Sequence, residues 1–258
     1  NTYNVAVGSG AGQLVTTGVQ NTLIGGLAGD ANTTADNNTA VGYLSLSANT
    51  TGGTNTAVGS SAMLTNTTGE QNAVLGHQAS YSNTTGSANV VMGLNTMYYN
   101  TTGSNNVALG RDALQKNTTA DNNTAVGKAA LFANTTGGNN VAMGIQALDA
   151  NTTGDENIGI GSNALGANTT ADANVGIGGG ALASNTTGTL NVAIGRSSLD
   201  ANITGSANTA VGYNALSANT GDGATAVGKD ALELNTSGAN TAVGANSLAT
   251  VTSGTLNV

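Results

Sequence analysis

The chain has 258 residues, a formal net charge of −8 and only five Lys and Arg residues. Nucleic-acid binding requires a basic surface, so this balance excludes a nucleic-acid partner and disfavours binding to an anionic membrane surface. No apolar run reaches the length of a transmembrane helix, and the absence of Cys excludes disulfides and thiolate metal sites.

One motif recurs along the chain and is clearest at residues 123–127, Asn-Thr-Ala-Val-Gly. The segment Lys-Ala-Ala-Leu-Phe-Ala follows it, then Asn-Thr-Thr-Gly, and the pattern restarts at Asn140. We number the motif from Asn123 as slot 1, which places its glycine in slot 5. This glycine recurs every 17 residues from Gly8 to Gly212, and then at intervals of 16 residues at Gly228 and Gly244. Such a fixed period is typical of a solenoid, in which each repeat forms one coil.

Slots 2 to 4 predict a β-strand, because slot 2 is mainly Val or Thr and slot 4 is always a large apolar residue. Side chains alternate between the two faces of a strand, so slots 2 and 4 share one face and the small slot 3 residue lies on the other. We expect the slot 4 side chains to form the core, and the small Ala/Gly face to be where protomers meet. The predicted core ladder is Val7, Ile24, Val41, Val58, Leu75, Met92, Leu109, Val126, Met143, Ile160, Ile177, Ile194, Val211, Val227 and Val243.

Slot 9 is Leu or Met in twelve of the fifteen repeats. It predicts a second short strand whose Leu packs against the slot 4 residue inside the coil. Burying one such side chain contributes roughly 1.5–3 kcal/mol, whereas ordering the backbone costs about 1–2 kcal/mol per residue. A single coil is therefore unstable, and neighbouring coils must bury one another's faces. The two one-residue deletions fall near Asn-Thr-Thr-Gly, which predicts a turn there.

These observations predict an all-β protein, a parallel β-solenoid of about fifteen 17-residue coils that forms one domain over residues 1–258. Helical repeats are longer, at about 33 residues or more, and Gly, Asn and Thr all disfavour helix. The chain begins at Asn1 without Met and ends at Val258 inside a further repeat. We therefore expect it to be a segment of a longer fibre, or an element whose ends stack on further copies.

The polar residues indicate structure more than chemistry. Slot 1 is Asn in every full repeat except at Ala224, which predicts a ladder of turn-forming amides. The single His77 has no partner at a fixed spacing and is expected to be exposed. The acidic residues of slots 16 and 10 are expected to be solvating charges: Asp36, Glu70, Asp121, Asp155 and Asp172, then Asp30, Asp149, Asp200 and Glu233. With no credible Ser-His-Asp set, we expect no enzymatic activity, no cofactor and no metal.

The motif Asn-Thr-Ala-Val-Gly followed by x-x-Ala-Leu resembles the head repeat of trimeric autotransporter adhesins, the YadA-like heads. With the following Asn-Thr-Thr-Gly, it resembles still more closely the repeat arrays of phage-type tail-fibre proteins. The resemblance covers essentially the whole chain, although the repeat is longer than the usual YadA-like unit. It implies a left-handed parallel β-roll, a homotrimer, and a role in a surface adhesin or fibre.

The Asn-Thr-Thr stretch in slots 12 to 14 allows two further interpretations. It matches the N-glycosylation acceptor pattern Asn-x-Ser/Thr, and it also supplies a Thr ladder that could bind ice. Adjacent Thr residues of a strand point to opposite faces, so only one Thr column could face the ice. The candidate glycosylation residues are Asn32, Asn49, Asn66, Asn83, Asn100, Asn117, Asn134, Asn151, Asn168, Asn185, Asn202 and Asn235.

The sequence thus predicts the structural or adhesive shaft or head of an extracellular, cell-surface or virion-tail fibre. Its partners are expected to be copies of itself and a surface receptor or matrix, with no membrane insertion. Two alternatives stay open: a self-assembling extracellular filament, with or without N-glycans, and an ice-binding solenoid. The irregularly placed tyrosines are expected to be scattered surface aromatics, with adhesive contacts as the alternative: Tyr43, Tyr81, Tyr98, Tyr99 and Tyr213.

Overall fold

The computed structural model describes residues 3–257, and within them the chain is an all-β parallel β-solenoid without a helix. It divides into two compact units, Asn1–Ala129 and Ala130–Val258. Each coil has one three-residue strand at slots 2 to 4, followed by turns and bends. The predicted turn at Asn-Thr-Thr-Gly is confirmed.

Successive strands of each unit pair in parallel and in register, so each slot lies beside the same slot of the next coil; Val41, for example, pairs with Val58. The first unit holds β1 Val5–Val7, β2 Thr22–Ile24, β3 Thr39–Val41, β4 Thr56–Val58, β5 Ala73–Leu75, β6 Val90–Met92, β7 Val107–Leu109 and β8 Thr124–Val126. The second unit holds β9 Val141–Met143, β10 Ile158–Ile160, β11 Val175–Ile177, β12 Val192–Ile194, β13 Thr209–Val211, β14 Thr225–Val227 and β15 Thr241–Val243.

The second short strand predicted around slot 9 is absent from the described residues, and turns take its place. The residues of slots 7 and 9 adopt positive φ, as at Leu44 (57°) and Leu46 (53°). In this conformation the Leu44 amide donates to Gly26 of the preceding coil, at 3.0 Å, and the Leu46 amide donates to Ala62 of the following coil, at 2.9 Å. Backbone hydrogen bonds between coils therefore continue through the turns.

The predicted core ladder faces the wrong way, because the slot 4 side chains lie on the outside of the coil. Met92 is 49% exposed, whereas the slot 3 residue Ala108 and the slot 9 residue Leu114 are both fully buried. The exposed members of the ladder are Val7, Ile24, Leu75, Met92, Met143, Ile194, Val227 and Val243, and the others are half-buried: Val41, Val58, Leu109, Val126, Ile160, Ile177 and Val211. The Ala/Gly face is consequently inside the coil and cannot be the surface where protomers meet.

The coil interior is narrow, which explains this reversal. At Gly159 in slot 3, an added Cβ would lie only 3.1 Å from the Leu148 Cγ. The interior thus has room for the large side chain from slot 9 and only a small residue from slot 3. The outward strand face has no such limit on size.

Two of the three large slot 3 residues are compensated in volume at slot 9, whereas the third, Val91, shares its coil with Met97 and both are buried. Where slot 3 is Leu23, slot 9 is Gly29, and an added Cβ there would meet the Leu23 Cδ2 at 2.7 Å. Where slot 3 is Val74, slot 9 is the small Ser80. Leu23 is buried and also covers Gly12 of the preceding coil, whose added Cβ would lie 2.8 Å from the Leu23 Cδ1.

The slot 5 glycine permits the close stacking of coils. Gly110 has a φ of 130°, which disfavours any side chain, and an added Cβ would lie 2.6 Å from the Gly127 carbonyl oxygen. Glycine is therefore required at slot 5 by both its backbone conformation and its contact with the next coil.

Volume compensation predicts strong coupling between Leu23 and Gly29. We expect Leu23→Ala to destabilise the protein by about 2–5 kcal/mol through the cavity that it leaves, and Gly29→Leu to destabilise it through overpacking. The double variant recreates the Ala–Leu pair of most other coils and should recover much of the loss. Denaturant unfolding of all four proteins measures the coupling; additive effects would contradict shared occupancy of one core space.

Candidate functional site

The slot 1 asparagines form a buried ladder whose amides join successive coils. In the middle of the first unit, the Asn55 Oδ1 accepts a hydrogen bond from the Asn72 backbone amide at 3.0 Å, and the Asn55 Nδ2 donates to the Gly69 carbonyl at 2.8 Å. Asn55 and Asn72 are 0% and 2% exposed. The predicted structural ladder is confirmed here, with its side chains turned into the interior.

The slot 12 asparagines form a second buried ladder, which contradicts their prediction as glycan acceptors in the folded coil. The Asn83 Nδ2 donates to the Asn66 Oδ1 at 2.7 Å and to the Gly86 carbonyl at 2.9 Å, and Asn83 is fully buried. An N-glycan would be attached to this same nitrogen, which has no outlet to solvent. The same burial holds for Asn32, Asn49, Asn66, Asn83, Asn100, Asn117, Asn134, Asn151, Asn168, Asn185, Asn202 and Asn235.

The interruption at Ala224 shows how the two ladders substitute for each other. The Ala224 amide still donates to the Asn208 Oδ1, at 2.9 Å. Ala224 has no side-chain amide to offer, and the next slot 1 residue, Asn240, donates instead to Asn235 of the slot 12 ladder, at 2.9 Å. The neighbouring ladder thus supplies the missing acceptor.

These contacts predict that one ladder amide contributes more to the free energy of unfolding than an exposed side chain of the same coil does. Asn55→Ala leaves the buried Asn72 amide without its acceptor, and we expect a destabilisation of about 1–3 kcal/mol. Thr51 is exposed on the same coil, and we expect Thr51→Ala to change the stability by less than about 0.5 kcal/mol. Denaturant unfolding compares the two variants, and equal effects would show that the ladder contributes nothing specific.

The slot 16 carboxylates were expected only to be solvated, but the structure gives them a bonding role. The Asp121 Oδ1 accepts a hydrogen bond from the Ser104 backbone amide of the preceding coil, at 2.6 Å. The Asp36 Oδ1 accepts from the Val19 amide at 2.7 Å. Ser104 in turn supplies its hydroxyl to the Ser87 amide at 3.0 Å. Slot 16 therefore joins the turns of neighbouring coils.

The slot 10 carboxylates Asp149 and Asp200 are half-buried. Burial raises the pKa of both, and a hydrogen bond from Gln146 partly offsets this effect at Asp149. A folded-state pKa above the unfolded value means that each group favours folding while it is protonated and loses that contribution as the pH rises through the folded pKa.

The raised pKa of Asp200 predicts a pH-dependent effect of Asp200→Asn. The amide cannot ionise, so the variant should gain stability relative to the wild type as the pH rises past the ordinary Asp value of 3.8. Unfolding midpoints of both proteins at acidic and neutral pH measure this difference. A stability advantage of Asp200→Asn that shrinks as the pH rises would contradict the prediction.

The two Thr columns differ in how they meet solvent. The slot 13 hydroxyls bond to the next coil, as where the Thr67 Oγ1 donates to the Thr84 carbonyl at 3.0 Å. The slot 14 residues, such as Thr68 and Thr85, are exposed. Only the slot 14 column is thus fully exposed, but both columns lie in a bend and not in the strand for which alternation was expected.

The outer strand face, defined as the slot 2 and slot 4 side chains of each unit, carries a column of outward-facing aliphatic side chains. In the first unit it carries exposed Val90 and Met92 on β6 and exposed Leu75 on β5. Because the strands are in register, each aliphatic side chain lies beside its equivalent on the next strand. The sequence identified these residues but placed them in the core.

The remaining residues give little chemistry. His77 is exposed, as expected. No group of three His, Asp or Glu side chains within residues 3–257 could hold a metal ion. In the same range, nothing helical has the length and apolar character needed to cross a bilayer.

Three tyrosines, by contrast, lie close together: Tyr81 stacks on Tyr98 with centroids 4.9 Å apart, and Tyr98 meets the edge of Tyr99 at 4.7 Å.

Comparison with known proteins finds no matching family model, no similar curated protein and no similar solved structure. The resemblance to adhesin heads and tail-fibre repeats therefore remains a prediction from the motif.

Proposed function

We propose that this chain is a structural or adhesive shaft or head segment of an extracellular, cell-surface or virion-tail fibre. In this proposal, copies of the chain associate through the outer strand face, as a homotrimer of left-handed β-rolls of the kind that the repeat motif implies. Each assembled fibre presents the polar turns of its coils to a surface receptor or matrix. The chain acts mechanically and catalyses no reaction.

The exposed slot 4 column is the observation that carries this proposal. Large contiguous apolar patches on a soluble protein mark interaction surfaces. Covering one half-exposed aliphatic side chain contributes on the order of 1 kcal/mol, and the column offers one such side chain on every strand of a unit. A second copy presents the same side chains at the same spacing, so two faces can match along their length, whereas an unrelated globular partner lacks this period.

The alternatives are less well supported. A filament decorated by N-glycans conflicts with the burial of the slot 12 amides. An ice-binding surface would use the exposed slot 14 Thr column, but it would leave the apolar strand face uncovered. Self-association through the strand face accounts for that surface directly.

Changing the outer strand face to lysine tests the proposal. We expect the wild-type chain to elute as a trimer in size-exclusion chromatography with light scattering. The variant that carries Val58→Lys, Leu75→Lys and Met92→Lys should be monomeric, because three charges cannot be buried without partners. These side chains point outward, so the coil itself should still fold.

The matched control places three lysines on the exposed slot 14 column, as Thr68→Lys, Thr85→Lys and Thr102→Lys. It adds the same charge to the same three coils as the strand-face variant does, and it should remain a trimer. A wild-type monomer, or equal dissociation of both variants, would contradict association through the strand face. Circular dichroism of each variant verifies that the β-solenoid is retained.

A further inference from the structure

Coils 5 to 7, which begin at Asn72, Asn89 and Asn106, carry a cavity found on the turn side of the first unit. It has a volume of about 200 Å³ and is lined by Gln78, Asn95, Tyr98, Tyr99 and Gln115. All five residues belong to turns and none to a strand. The cavity therefore shares no lining residue with the outer strand face through which the chain is proposed to associate.

The aromatic wall of this cavity is held in place by stacking. Tyr98 lies against Tyr81 with an interplanar angle of 3°, and its ring meets Tyr99 at an angle of 69°. Tyr99 is 51% exposed, so it offers ring surface to a ligand. Burial, together with the neighbouring Tyr81 and Tyr99, raises the pKa of Tyr98 above its ordinary value of 10.0.

The polar wall consists of amides, one of which lacks a partner. The Asn95 Oδ1 is buried without any hydrogen-bond partner, which is costly for an amide oxygen. The Gln115 amide donates to Asp112 at 2.9 Å and still has a further N–H and its oxygen to offer. The cavity lining contains neutral amides and phenols and no ionised side chain.

We propose that this cavity binds one neutral sugar ring of a glycan, with the ring beside Tyr99 and its hydroxyls on Asn95, Gln78 and Gln115. A hydroxyl both donates and accepts, so it suits both the N–H groups and the oxygens of the amide side chains that line the cavity. The apolar C–H surface of a pyranose fits against an aromatic ring. The lack of charged lining residues favours a neutral sugar over an acidic one.

A proline-rich peptide is the competing ligand, because such peptides also dock on aromatic-lined grooves. Proline has no N–H to donate, so a proline-rich peptide offers fewer donors than a sugar does to the amide oxygens of the cavity lining. The observations therefore favour the sugar.

Binding of methyl glycosides to the purified chain tests the proposal. Saturation-transfer NMR and calorimetry would be run with the methyl pyranosides of glucose, galactose, mannose and N-acetylglucosamine. A ligand of this size binds with an affinity of about 1 mM at an ordinary efficiency per atom. We expect at least one of the four to bind in that range, with its transferred signals on the ring protons facing Tyr99.

Two variants remove the two walls of the cavity. Tyr99→Ala and Asn95→Ser should each weaken binding by about tenfold or more. Asn95 has a φ of 53°, and serine already occupies slot 7 at Ser61 with a φ of 57°, so the substitution suits the backbone. The matched controls are Tyr43→Ala, an exposed tyrosine outside the cluster, and Asn214→Ser, which is also in slot 7; both should bind as the wild type does.

The proposal is overturned if none of the four glycosides binds at concentrations up to about 50 mM, well above the expected dissociation constant. It is also overturned if the controls weaken binding as much as the cavity variants, or if only a proline-rich peptide binds. The monomeric strand-face variant should bind the sugar unchanged, so this test can fail or succeed independently of self-association.

Discussion

The buried asparagine amides are the interaction on which the rest of this structure depends. A 17-residue coil encloses too little space for a conventional apolar core, and part of its interior is polar. Each ladder amide is satisfied by a backbone group or another amide, as where Gly69 accepts from both Asn55 and Asn66. Other ladder bonds reach the adjacent coil, as from Asn72 to Asn55 and from Asn83 to Asn66, so a coil taken alone would bury unpaired polar groups at a high cost. Stacking is therefore a condition of folding.

Limited space also determines the sizes of the apolar side chains in the interior. In most coils a large slot 9 side chain faces a small slot 3 residue, and where slot 3 is Leu23, slot 9 is glycine. The slot 9 residues adopt a left-handed backbone conformation that costs roughly 1–2 kcal/mol for a residue with a Cβ. Their complete burial, as at Leu114 and Leu131, offsets this strain. Each coil thus combines a strained turn with a filled core, and neighbouring coils hold both in place.

A solenoid this thin has two surfaces with different properties. The outer strand face carries repeated aliphatic side chains and suits a partner with the same period, which is another copy of the chain. The turn side is mostly polar, with a few exposed apolar side chains, and it varies between coils, so it can differ locally without disturbing the ladders. The tyrosine and amide cavity of coils 5 to 7 is such a local difference. In the function that we propose, one surface assembles the fibre and the other contacts what the fibre meets.

The sequence by itself determined the period, the strand at slots 2 to 4, the turn at Asn-Thr-Thr-Gly and the all-β solenoid, because these follow from regular spacing and local propensity. Alternation also showed correctly which residues share a face. It could not tell which face is inside, since Val126 and Ala125 alternate equally well in either orientation. The width of the coil decided that, and width is a tertiary property. The paired exceptions Leu23 with Gly29 and Val74 with Ser80 were the sequence signal that slots 3 and 9 share one space. Likewise, only the stacked coils could bring Tyr81, Tyr98 and Tyr99 together and turn the slot 12 amides inward, because residues 17 apart become neighbours only through the coil itself.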